Sequence, residues 1–123
     1  MVLAPEEYKG PQMTKEELYR QYFLFWQSWE GELESALERG SNLKKKLDCV
    51  QEALKNLVNM KGMLVPGMQK NLDIYLERTI ELMGAIKSDI YGMDNNTNLK
   101  EAERIKMDIH RSFAYPKIKD YLK

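Results

Sequence analysis

One cysteine, Cys49, and one histidine, His110, occur in the 123 residues. A lone cysteine excludes an intrachain disulfide framework. One residue of each kind cannot build a structural zinc site. Di-iron bundles need Glu-x-x-His on two helices, and the residue three before His110 is Met107, so that chemistry is excluded in its usual form. Ser-His-Asp ordering, Cys-His pairing and a Gly-rich phosphate loop are missing too. We expect no metal and no cofactor. No apolar run approaches the length of a membrane span. The opening "MVLAPEEYKG" has neither the basic start nor the apolar run of a signal peptide, so the expected compartment is the cytoplasm. Net charge is also absent: 19 basic residues balance 19 acidic ones. General affinity for nucleic acid or anionic lipid is therefore not expected.

Proline and glycine number only 4 and 7, against 43% hydrophobic and 31% charged residues, a globular balance that favours helix. The charge is uneven. Residues 1–40 carry 4 basic and 8 acidic groups, net −4, and residues 41–93 carry 8 and 6, net +2. An acidic first helix beside basic later ones suggests pairing within the fold. Thr14 and Glu17 form a capping box, and Gly40 is the matching stop, which predicts a helix over 14–39. Leu43, Leu47, Val50, Leu54 and Leu57 make a bundle seam in a helix over 42–61. Pro66 suits a first helical turn and opens a helix over 66–91, with seam residues Leu72, Leu76, Thr79, Met83, Ile86 and Ile90. Asn98 with Glu101 offers a cap for a fourth helix over 98–115, whose stripe is Leu99, Ala102, Ile105, Ile109 and Phe113. Pro116 breaks it and leaves a short terminal turn or helix. Connections this short put consecutive helices antiparallel. The expected architecture is an all-α, up-down-up-down four-helix bundle over 14–123, preceded by an arm over 1–13.

The stretch "YFLFWQSW", residues 22–29, is five-eighths aromatic in a chain that is 10% aromatic. At about 100° per residue, Leu18, Tyr22, Phe25, Trp26, Trp29, Leu33 and Leu37 fall within one arc of about 120°. Those four aromatics are expected in the core. Phe23 falls on the flank, with Tyr19 nearby, and Leu24 on the far side. These three suggest that the first helix is covered on more than one side, either by the arm folding Val2 and Leu3 back or by a second copy. "GMLVPGM", residues 62–68, is unusually apolar for a connection. Met63, Leu64 and Val65 must plug the bundle end or meet a partner, and methionine adapts to such irregular surfaces.

Candidate chemistry is sparse. Asp94, Asn96 and Asn98 imitate the first calcium ligands of an EF-hand, but Leu99 stands where glycine is required and Ile105 where glutamate is. Glu30, Glu34 and Glu38, and Glu77 with Glu81, read as solvated edges, the first group partly paired with Lys44, Lys45 and Lys46. Those lysines could alternatively form a phosphate-binding patch. Cys49 falls on the flank of a seam, as a small buried hydrophobe would.

"RIKMDIH", Arg104 to His110, resembles the R-x4-6-H signature of HEPN domains, helical bundles of about this size that include dimeric, metal-independent ribonucleases. The resemblance covers seven residues. It implies that His110 would shuttle a proton in RNA cleavage and Arg104 would steady the phosphate. On one helix the two lie about 120° apart, so a two-fold cleft would have to gather them, and nucleic acid is a partner only on this reading. The principal expectation is a non-enzymatic bundle working through protein association, most simply as a homodimer. Its contact candidates are Tyr19, Phe23 and Leu24, then Met63, Leu64 and Val65.

Overall fold

The computed structural model describes residues 13–123. Apart from Met13, the expected arm and its Val2 and Leu3 lie outside the described residues. The chain is all-α: α1 Lys15–Arg39, α2 Leu43–Lys61, α3 Pro66–Ser88, α4 Asn95–Phe113 and the short α5 Tyr115–Ile118, followed by a 3₁₀ turn, Lys119–Tyr121. No strand occurs among the described residues. None of their helices is long and apolar enough to cross a membrane.

Local chemistry sets the first boundaries. Thr14 Oγ1 accepts from the Glu17 N–H at 3.0 Å, and the Thr14 N–H donates to Glu17 Oε1 at 2.8 Å. These bonds satisfy two donors that a helix start leaves free. Gly40, at φ 68°, closes α1 in the left-handed region, while the Ser41 N–H reaches back to Ala36 O at 2.9 Å, as in a Schellman ending. Asn42 Oδ1 caps α2 by accepting from the Lys45 N–H at 2.8 Å.

The α3–α4 connection differs from expectation. The Asp89 carboxylate accepts from the Met93 and Asp94 N–H groups, each at 2.8 Å. A short acidic side chain that binds nearby backbone competes with helix continuation, so α3 stops at Ser88. Gly92, at φ 69°, completes the turn, and a Cβ there would sit 2.9 Å from Asn95 Nδ2. The chain therefore re-enters helix at Asn95, three residues earlier than the sequence suggests. Asn98 is buried within α4 instead of capping it, and Ile90 is exposed instead of continuing the seam.

Helix contacts close a ring: α1 with α2, α2 with α3, α3 with α4 and α4 with α1. Between α1 and α4, Tyr19 meets Phe113, Phe23 meets His110 and Glu34 meets Lys106. The partners run in opposite order, as antiparallel neighbours require. Trp26, Leu33, Leu37, Val50, Leu57, Leu72, Ile86, Ile105, Ile109 and Phe113 fill the centre. Each such side chain contributes about 1.5–3 kcal/mol by leaving water. Phe25 is a correction: it lies exposed, and Tyr22 and Trp29 are only half-buried. The core direction of α1 runs through Trp26, Leu33 and Leu37, which leaves Phe25 at the edge of the arc outside it.

The terminal segment seals one end. Ile118 is fully buried. The Val65 N–H donates to Tyr121 O at 2.9 Å and the Lys123 N–H to Met63 O at 3.0 Å. These bonds flank an isolated antiparallel bridge between Leu64 and Leu122. The apolar α2–α3 connection is thus a plug, covered by the chain's own tail.

Candidate functional site

Trp26, Glu30 and Glu34 follow one another at intervals of four residues, so they form one row along α1. That row faces α4. Glu30, expected at a solvent edge, is 1% exposed. Neither of its oxygens has a hydrogen-bond partner in the structure, nor does Trp26 Nε1 or Glu34 Oε2. Glu34 Oε1 accepts from Lys106 Nζ at 3.5 Å. Burial, reinforced by the negative charge of Glu34 and opposed by Lys106, pushes the Glu30 carboxyl up to about 8. Burying an unpaired carboxylate costs several kcal/mol, so the group is held neutral near pH 7.

Outward from this row lies an open groove of about 560 Å³, lined by Glu34, Glu103, Lys106, Met107, His110 and Arg111. Further along α1, where α4 gives way to α5, is a second groove, of about 280 Å³, between Arg20, Phe23 and Leu24 of α1 and Ala114, Tyr115 and Pro116. Phe23 separates the two. Its ring packs on Trp26, with centroids 5.2 Å apart, and meets His110 edge-on at 5.5 Å. Arg20 lies over the Tyr115 ring, 4.5 Å from its centroid, a cation–π contact. Leu24 and Met107 are 57% and 58% exposed, one on each helix of this face.

The residues singled out in the sequence separate into groups. Tyr19 is a correction: it is fully buried, and its hydroxyl donates to Phe113 O at 2.6 Å. That carbonyl ends α4, where no following helical turn supplies it an N–H donor. Burial pushes the Tyr19 phenol upward, so it remains a donor. Leu64 is a second correction, being fully buried beneath the tail. Met63 and Val65 are half-buried beside it, their backbone groups bonded to the tail. Neither Tyr19 nor Leu64 is available as a surface contact. Phe23 is half-buried, and Leu24 faces water.

Arg104 and His110 are not brought together. Arg104 NH1 lies 3.8 Å from Glu101 Oε1. Glu101 in turn holds Arg78 of α3, at 3.1 Å. His110 packs on Phe23 of α1 instead. The pair therefore occupies opposite edges of α4, and one chain assembles no phosphate clamp from them. Among the described residues no group of three His, Cys, Asp or Glu is placed to hold a metal ion. Cys49 is a buried free thiol, pushed upward by burial first of all, which disfavours the nucleophilic thiolate.

Sequence reasoning missed two buried charges, Glu30 and Lys46. The helical wheel held only a marginal signal for Glu30, which falls about 20° beyond Leu37, just past the edge of the apolar arc. Lys46 is set three residues after Leu43 and four before Val50, a core spacing that its charge disguised. No protein-family model, curated protein or solved structure matches the chain.

Proposed function

We propose that the protein is a non-enzymatic association module whose outer α1–α4 face docks on a second copy of itself, as a cytoplasmic homodimer. The observation that carries this reading is the exposure of Leu24 and Met107 on the two helices of one grooved face. Exposed apolar side chains beside grooves are what interfaces use. Phe23, His110 and Tyr115 add aromatic surface to it, of the kind enriched at contact sites.

Charge favours a second copy over an unlike partner. The face carries Glu34 and Glu103 together with Lys106 and Arg111. Glu34 and Lys106 already pair within the chain at 3.5 Å, and a two-fold axis presents the same patch to itself, so Glu103 of one copy can meet Arg111 of the other. The buried free thiol of Cys49 suits the reducing cytoplasm.

Solution mass tests the reading directly. Light scattering during gel filtration is expected to give twice the mass of the chain, and Leu24→Lys with Met107→Glu is expected to give a folded monomer. Both substituted side chains are exposed, so circular dichroism should be unchanged. A wild type that stays monomeric well above micromolar concentration would sink the proposal.

A further inference from the structure

At the end of the bundle away from the tail, the α1–α2 turn and the α3–α4 loop meet around a pocket of about 270 Å³. Its walls include Gly40, Asn42, Leu43, Lys46, Tyr91 and Asn95. Lys46 is 2% exposed. Its ammonium donates to one neutral acceptor, Asn95 Oδ1, at 3.0 Å. Among the described residues no carboxylate comes within ion-pairing range of it. Asp48, two residues on, pairs with Lys44 at 2.9 Å, and Asp89 of the α3–α4 loop accepts two backbone N–H groups. A buried cation without a counter-charge is costly unless something supplies one.

The surroundings are built to supply an anion's contacts. Two helices begin here, α2 at Leu43 and α4 at Asn95. The first turn of a helix leaves its leading N–H groups without intrahelical acceptors. The Asn42 side chain takes only that of Lys45, which leaves those of Leu43 and Lys44. No side chain caps α4. Helix starts of this kind carry partial positive charge and favour oxyanions. Gly40 and Gly92 both take positive φ at the pocket wall, a conformation that favours glycine, so the two turns that shape the pocket depend on glycine. Tyr91, 88% exposed, stands at the rim.

We infer that this pocket binds a phosphate-type oxyanion, either as the free ion or as the terminal group of a small phosphomonoester, with Lys46 supplying the charge and the α2 and α4 starts the N–H donors. The inference is independent of the dimer, because the pocket lies at the bundle end and uses none of the α1–α4 face.

Calorimetric titration at low ionic strength with inorganic phosphate, and separately with glycerol 1-phosphate, tests it. Saturable one-to-one binding is expected, and in amide NMR spectra the resonances of Leu43, Lys44 and Asn96 should move. Tighter binding of the ester would identify a carried phosphate, and equal binding the free ion. Lys46→Met should abolish the signal. Asn42→Asp keeps a good N-cap but sets a carboxylate at the pocket, and should weaken binding at least about tenfold, or about 1.4 kcal/mol. That variant keeps the test intact if Lys46→Met fails to fold. Absence of saturable binding to the wild type, or undiminished binding by folded Asn42→Asp, would overturn the inference.

Discussion

Glu30 is the residue at which stability and pH are most tightly tied. In the folded chain its carboxyl is raised from 4.5 to about 8, chiefly by burial. In the unfolded chain it titrates near the lower value. Between those limits the native state holds a proton that the unfolded state has released, so stability falls as pH rises from about 4.5 to about 8 and levels above that. Below about 4.5 both states are protonated and the penalty vanishes. Glu30→Gln keeps the shape and removes the titration. At pH 7 it should stabilise the fold by roughly a few kcal/mol, and near pH 4 it should do nothing. Urea unfolding of both proteins across that range would decide the matter. A variant equally stabilised at pH 4 and pH 7 would show that ionisation is not the cause.

The helices show what apolar spacing reveals and what it hides. Leu43 to Leu57 and Leu72 to Ile86 were legible because a 3.6-residue period carries its own evidence. The Thr14 cap and the Gly40 stop were legible because each needs only local chemistry. The early end of α3 was hidden: it depends on Asp89 turning its carboxylate onto the backbone of Met93 and Asp94, a choice equally open to a solvated aspartate. The tail was hidden for a different reason. Its partner, Leu64, lies 58 residues before Leu122 (122 − 64), and no local pattern announces so distant a pairing. The tail's anchor is Ile118, which is fully buried. Ile118→Ala should lower stability by about 2–5 kcal/mol, the range for emptying a packed site. Hydrogen exchange should then accelerate at the Val65 and Lys123 amides, which bond across this junction. Uniform acceleration throughout the bundle, with no excess at those two amides, would mean that the tail is not a separately anchored element.

For the molecule as a whole, the ring closes between its first and last long helices. Tyr19 and Phe113 bond there, and Trp26, Glu30 and Glu34 line the seam above them. The outer face of that seam is the one offered to a second copy. If two copies dock there, binding draws on the same α1–α4 pairing that closes the ring, and dimerisation must stabilise the fold by mass action. The melting temperature of the wild type should then climb with protein concentration. For Leu24→Lys with Met107→Glu it should stay constant, since only the outer surface has changed. Differential scanning calorimetry over a hundredfold range of concentration separates the cases. A wild-type melting temperature independent of concentration, with a monomeric mass, would leave Leu24 and Met107 as two unrelated exposed side chains, which single apolar residues on a protein surface commonly are.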